Sequence, residues 1–231
     1  MSVFSPRDRR ALQEMLAMLR RPVAIMGFVE NAETDEILSP LFQEITHLVP
    51  GLVHCELVDA TRSATLVEAL GVQILPSLRF VGSNGEFAPV EMLGSPTGYQ
   101  FGSFLNLLMN LSQARPLLGH AISGALKNVD QDIYIEVIVT ATCPNSPQVV
   151  RIAQASALAN PSRVFARSFD AVQFPELLPA ESIDLVPYTQ IYIAGQLIAA
   201  RAGMMSAKDL WMMIHAGLKG VGIHAALQHN F

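Results

Sequence analysis

The internal repetition of this chain limits its possible folds more tightly than anything else in it. Split near Ser112–Ser123, where Pro116, Gly119 and Gly124 break the pattern, the two halves spell the same succession of elements. In the first half, an amphipathic helix (about Arg7–Leu19) precedes an apolar strand, Val23–Val29. A polar turn follows, then a helix (about Glu36–Val49) with Ile37, Leu38, Leu41, Ile45 and Leu48 on one side. A strand over Leu52–Val58, a short helix near Ser63–Leu70 and strands over Ser77–Val81 and Pro89–Leu93 come next. A helix near Tyr99–Leu111 closes the half. The second half gives helix His120–Val129, strand Ile133–Val139, helix Gln148–Leu158, strand Arg163–Phe169 and a short helical segment near Phe174–Leu178. Strands Tyr188–Ile193 and Leu197–Ala200 then precede a last helix, Ser206–Leu218. The order β-α-β-α-β-β-α, twice, reads as an α/β protein with mixed sheets flanked by helices. Each strand–helix–strand step demands a right-handed parallel crossover. Asn84-Gly85 and Ala194-Gly195 each join an antiparallel hairpin. The domains are expected at 1–116 and 117–231.

Composition removes several function classes. The 231 residues are 51% hydrophobic and 15% charged, which excludes a disordered chain. A net charge of −5 leaves no basic footprint for nucleic acid or an anionic membrane. Mean hydropathy is +0.34, yet no apolar run reaches the length of a membrane span. The surplus belongs in cores, in a face between the halves, or in a contact between copies of the chain. In Met1–Arg21, charges flank and interrupt Leu12, Met15, Leu16 and Leu19, so the segment reads as a helix and not a signal peptide. Two cysteines form no disulfide framework, and a cytoplasmic location is expected.

Cys143 is the informative residue. It sits in Thr140-Ala-Thr-Cys-Pro-Asn-Ser-Pro147, where a strand ends and a helix begins. A helix start offers unpaired N–H groups and the positive end of the peptide dipoles, both of which favour a thiolate. Pro144 suits the first helical position, which needs no N–H. A thiolate there is fit to attack a disulfide; the other reading is a free buried cysteine acting as a small hydrophobe.

Thr142-Cys-Pro-Asn-Ser-Pro-Gln-Val-Val150 resembles the Cys-x-x-Cys helix start of tandem thioredoxin-fold proteins. These are the N-terminal domain of the F subunit of alkyl hydroperoxide reductase and the glutaredoxin-like protein disulfide oxidoreductases. Four further features are similar to that family: Leu185-Val-Pro187 before a strand and Gly195, the block Gly94-Ser-Pro-Thr-Gly-Tyr-Gln-Phe101, the segment Arg21-Pro-Val23, and the duplication itself. The resemblance implies two fused thioredoxin-like domains, the first without active-site thiols. It implies Cys143 as attacking thiol, with Ser146 where the resolving cysteine belongs. It makes Pro144, Val186 and a cis Pro187 the substrate platform, although only about one X-Pro bond in twenty is cis in general. Ser cannot form a disulfide, but it can donate a hydrogen bond to the sulfur. Three readings of Ser146 stay open: a monothiol mechanism with glutathione as co-substrate, a groove that binds partners without redox turnover, or a native cysteine exchanged for serine to trap an intermediate. The partners implied are a protein disulfide or peroxiredoxin-type substrate, with a flavoprotein reductase as electron donor.

The remaining candidates read as structural. Asn31-Ala-Glu-Thr34 stands where Cys143–Ser146 stands in the other half and carries no thiol; Asp35 suits a helix cap. Ile74-Leu75-Pro76 matches the segment before Pro187. His54 and Cys55 are neighbours in a strand and so face opposite sides, which makes Cys55 a packing residue. The six histidines show no metal-ligand spacing. Met204, Met205, Met212 and Met213 fit core or interface packing better than a cofactor site. No glycine-rich motif points to a flavin, nicotinamide or nucleotide, so no bound cofactor is expected.

Overall fold

The computed structural model describes residues 3–33, 35–113, 118–180 and 183–220. Two compact units divide the chain: Met1–Ser95 with Leu105–Arg115, and Pro96–Phe104 with Pro116–Phe231. In order, the first elements are α1 (Pro6–Leu16), β1 (Val23–Val29), α2 (Leu38–Leu48), β2 (Val53–Asp59), α3 (Ala64–Ala69), β3 (Ser77–Val81), β4 (Phe87–Leu93) and α4 (Tyr99–Gln113). Then come α5 (His120–Lys127), β5 (Ile133–Val139), α6 (Ser146–Ala159), β6 (Val164–Asp170), a 3-10 turn at Pro175–Leu177, β7 (Tyr188–Ile193), β8 (Gln196–Ala202) and α7 (Ala207–Leu218). Helix α4 is shared, its first residues belonging to the second unit and the rest to the first.

The first unit has strand order β2-β1-β3-β4. β1 and β2 are parallel, and β3 runs antiparallel to both β1 and β4. The second unit has β6-β5-β7-β8 with the same three senses. This is the thioredoxin-like arrangement, twice. The repetition extends to single hydrogen bonds. Ala60 N–H donates to the Val29 carbonyl at 2.9 Å, and Ala171 N–H to that of Val139 at 2.8 Å. Gly94 N–H donates to the Pro76 carbonyl at 2.7 Å, and Gly203 N–H to that of Pro187 at 2.8 Å. Both prolines follow cis peptide bonds, Leu75–Pro76 and Val186–Pro187.

Local chemistry accounts for the element ends. The Ser5 hydroxyl accepts the Asp8 N–H and Pro6 opens α1, a standard start. Leu12, Leu16 and Leu19 are buried, while Met15 at the stripe's edge is exposed. Asp35 Oδ1 accepts the N–H groups of Ile37, Leu38 and Ser39 at the start of α2, as a cap should. Ala194 and Gly195 both have positive φ, the two-residue turn whose twist suits a hairpin. Where the first unit has α3, the second has only the 3-10 turn, because Pro175 and Pro179 bracket the segment and deny it further helical bonds.

Each unit has its own core. Ile25, Phe28, Leu38, Ile45, Leu78 and Phe80 are fully buried in the first. In the second, Ile135 and Val137 on β5, Val150 and Ala157 on α6, Ile191 on β7 and Ile214 on α7 are likewise sealed from solvent. Helix α6 lies against β5 and β6, and α7 against β7 and β8. The core therefore fixes the C-terminal end of β5 relative to the start of β7, where the candidate site lies.

Candidate functional site

The turn after β5 presents Cys143. Its backbone N–H donates to the Thr140 carbonyl at 3.1 Å, closing the turn, and α6 begins only at Ser146. Cys143 thus precedes the helix, and Asn145 is the residue flanking its start. This corrects the placement of Pro144: Pro147 occupies the first helical turn, and Pro144 lies exposed in the loop before it. Pro147 can take that place because its missing N–H would find no intrahelical acceptor there.

Cys143 is a free, half-buried thiol. Its Sγ donates to the Val186 carbonyl at 3.6 Å. Val186 is half-buried, and its peptide bond to the buried Pro187 is cis. Three of the residues implied by resemblance, Cys143, Val186 and Pro187, are therefore brought together. Ser146 is close in sequence but plays a different part. It is fully buried as the first helical residue, and its Oγ has no hydrogen-bond partner among the described residues. The expected hydrogen bond from Ser146 to the sulfur is not formed, because Ser146 is turned into the protein and the sulfur toward the Val186 carbonyl.

Two supports of the turn are not visible from the sequence. Asp170, buried at the end of β6, accepts the Ala141 N–H on Oδ2 at 2.6 Å and the Val172 N–H on Oδ1 at 2.8 Å. Charge-assisted bonds of this kind are the stronger class. The block Gly94–Phe101 supplies the other. Tyr99 N–H donates to the Ala141 carbonyl at 2.9 Å, and Gly98 lies against the same peptide with φ of +55°. A Cβ at Gly98 would fall on the Ala141 carbonyl oxygen and within 3.0 Å of its carbon. Only glycine satisfies both the backbone angle and the close approach. Asp59 at the end of β2, which accepts the Thr61 and Arg62 N–H groups, is the available signal for Asp170, since it holds the matching place in the repeat.

The third side of the site is the loop between β8 and α7. Gly203, with φ of +81°, donates its N–H to the Pro187 carbonyl; the positive φ, not crowding, favours glycine here, since a Cβ would meet Leu185 Cδ2 only at an ordinary 3.4 Å. Leu185 is 51% exposed and Met204 40%, whereas Met205 turns into the core. Of the methionines beside and on α7, Met204 and Met212 face solvent, and the packing role falls to Met205 together with Leu210 and Ile214. Ser206 and Asp209 form a reciprocal capping box that fixes the start of α7.

The equivalent region of the first unit has no thiol. Asn31 Oδ1 accepts the Glu33 N–H at 2.9 Å, and Glu33 pairs with Arg62 at an exposed position worth little stability; Thr34 lies outside the described residues. Cys55, on the edge strand β2, is also free, and His54 beside it faces solvent. Burial pushes the Cys55 thiol up to about 12, against a smaller opposing effect of a hydrogen bond with Thr46. Among the described residues, no three His, Cys, Asp or Glu side chains gather to hold a metal, and no helix is long and apolar enough to cross a membrane. His224 and His229 fall outside the described residues.

No family model matches the sequence. A curated relative named NADH dehydrogenase, from Ferdinandcohnia aciditolerans, is 21% identical over 93% of this chain and 38% of its own length. The F subunit of alkyl hydroperoxide reductase from Staphylococcus aureus is 22% identical over 87% of this chain and 36% of its length. The chain thus spans less than two fifths of the curated relatives it matches. Among solved structures, the F subunit of alkylhydroperoxide reductase from Enterococcus faecalis superposes with a TM-score of 0.77 at 24% identity, covering 90% of this chain and 98% of that one. A protein disulfide oxidoreductase from Aeropyrum pernix superposes with a TM-score of 0.79 at 23% identity, covering 94% of each chain.

Proposed function

We propose that in this tandem thioredoxin-fold chain, similar to the F subunit of alkyl hydroperoxide reductase and to protein disulfide oxidoreductase, the second unit performs thiol–disulfide exchange through Cys143. The observation that carries this reading is the free thiol of Cys143 in an anchored turn, 3.6 Å from the carbonyl that precedes cis Pro187. The Cys143 thiolate attacks one sulfur of a disulfide, forms a mixed disulfide and expels the other sulfur as a thiolate. With serine at 146, no second thiol of this site can displace the bound partner. Release therefore requires an outside thiol, glutathione or a cysteine of a partner, which attacks the mixed disulfide and returns Cys143 to the thiolate. The outside thiol leaves as a disulfide with the partner's sulfur, so exchange itself conserves disulfides, and net reduction comes only when an electron donor reduces that product. Val186 and Pro187 form the platform beside the reacting sulfurs, with Pro144 on the exposed side. The natural partners we assign are a protein disulfide or peroxiredoxin-type substrate and a flavoprotein reductase as electron donor, in the cytoplasm, where thiols stay reduced.

A second reading is favoured by Ser146: a groove that binds its partner without turnover. One experiment separates the two. The full chain and Cys143→Ser are treated with a thionitrobenzoate disulfide reagent at neutral pH, and the adduct is mapped by mass. Exchange predicts stoichiometric release of thionitrobenzoate, an adduct on Cys143, and its reversal by added thiol, all absent in Cys143→Ser. A native chain that releases none supports the binding-only reading.

A further inference from the structure

The Cys143 turn is gripped at Ala141, two residues before the sulfur. The Ala141 N–H donates to Asp170 Oδ2 at 2.6 Å, and its carbonyl accepts the Tyr99 N–H at 2.9 Å. Asp170 is buried, and its other oxygen accepts the Val172 N–H at 2.8 Å. Its backbone carbonyl accepts the Gln173 and Phe174 N–H groups at 3.1 and 3.0 Å, so the residue is itself held fast. Asp59 ends β2 as Asp170 ends β6, and each is followed by a residue bonded to the Val29 or Val139 carbonyl. There the repetition stops. Asp59 Oδ1 accepts from the Thr61 N–H and hydroxyl and from the Arg62 N–H, and Oδ2 lies 3.7 Å from Arg62 Nε. Asn31 stands two residues past Val29, as Ala141 stands two past Val139, and among the described residues Asp59 makes no bond to it. Among the described residues, an acid therefore bridges to the turn only in the unit that carries the thiol.

We propose that Asp170 is a positioning residue for exchange at Cys143: its carboxylate fixes the Ala141 peptide and, through it, the direction in which the sulfur is presented. This rests on the exchange reading above. Displacement at a disulfide needs the attacking, central and leaving sulfurs close to a line, so its rate depends on where the Cys143 sulfur points as well as on its exposure. Alkylation by a small reagent has no partner to align beside cis Pro187 and needs only an accessible thiolate. A carboxylate on a backbone N–H is a bond of the stronger class. Without it, Tyr99 and Gly98 hold only the carbonyl side of the Ala141 peptide, and its N–H is left without its acceptor. In the first unit the matching acid serves its own loop, which suits a unit with no sulfur to aim.

The test measures two rates on the full chain at neutral pH. One is exchange with the mixed disulfide of thionitrobenzoate and an end-blocked Gly-Cys-Gly peptide, in which the Cys143 thiolate bonds to the peptide sulfur and thionitrobenzoate leaves with the electron pair. The other is alkylation of Cys143 by iodoacetamide, mapped by mass. The ratio of exchange to alkylation reports the aim of the sulfur apart from its exposure. Asp170→Ala should lower that ratio about tenfold. Asp170→Asn, which keeps one oxygen acceptor in the same shape, should recover part of the loss. Asp59→Ala, which removes the matching acid of the first unit, should leave the ratio at the native value. A native ratio in Asp170→Ala, or an equal fall in Asp59→Ala, overturns the proposal while the exchange reading stands. If Asp170→Ala does not fold, Asp170→Asn decides: a lowered ratio supports the proposal and a native ratio overturns it. A native chain that releases no thionitrobenzoate from the peptide overturns both.

Discussion

At the scale of single residues, the site turns on Cys143 and the hydroxyl three residues after it. Ser146 is wholly buried with an unpartnered hydroxyl, and a buried hydroxyl without a partner costs about 1–3 kcal/mol. A thiol at that place carries less polar demand and suits an apolar surrounding better. Ser146→Cys should therefore fold at least as stably as the native chain. Under mild oxidation it should close a disulfide to Cys143, seen as the loss of one free thiol pair by mass and alkylation counting. Persistence of two free thiols at these positions would mean that the turn holds Cys143 too far from the helix start for bridging. Cys143 is legible as the candidate nucleophile because a cysteine before a helix is a recognisable signal. The inward direction of Ser146 is not legible, since the direction of a first-turn side chain depends on where the helix begins. The residue pattern puts that start near Gln148; it lies at Ser146, with Pro147, not Pro144, in the opening turn.

At the scale of elements, the short connections decide the site's geometry. The loop bearing Met204 is held by the start of α7, where the Ser206 hydroxyl accepts the Asp209 N–H and the Asp209 carboxylate accepts from Ser206 in return. The Ser206 N–H and hydroxyl hold the Asp209 carboxyl below the usual carboxylate range. A carboxyl with a lowered folded value stabilises above its unfolded value, and that stability is lost as pH falls through the folded one. Ser206→Ala should cost about 1 kcal/mol in denaturant unfolding at neutral pH. The difference between native chain and variant should shrink as the solution is acidified below the ordinary carboxylate range. A difference that stays constant into strong acid would show that the cap does not depend on the ionised Asp209. The capping signal Ser-x-x-Asp is legible in the sequence. The support of the Cys143 turn by Gly98, Tyr99 and Asp170 is not, because those contacts join segments far apart in the chain.

At the scale of the whole molecule, the two cysteines answer to folding in opposite ways. Cys143 is presented by a loop, whereas burial pushes Cys55 from an ordinary value of 9.0 to about 12. The folded chain should take one alkyl group rapidly at pH 8, on Cys143, and the chain unfolded in denaturant should take two. Both thiols are half-buried, so rapid double labelling of the folded chain would contradict the raised Cys55 thiol. The sign for stability follows. The unfolded chain loses the Cys55 proton near pH 9 while the folded chain keeps it to about 12, so this residue's contribution falls as pH rises across that window. Cys55→Ala should flatten that decline in stability measured between pH 9 and 12.

The order of residues alone was enough for the duplicated α/β plan, the strand spans of β1, β3, β5 and β7, the hairpins and the standing of Cys143 apart from Cys55. Each of these rests on local information: hydrophobic period, turn residues, and a cysteine between strand and helix. Which groups surround the sulfur was settled by tertiary packing and by nothing local. Packing put the Val186 carbonyl at 3.6 Å, buried Ser146 without a hydrogen bond to the thiol, and set Gly98 against Ala141. The physical reason is that these contacts join positions far apart in sequence through packed cores. No local propensity encodes a distance between loops that only the sheets and their helices hold in place.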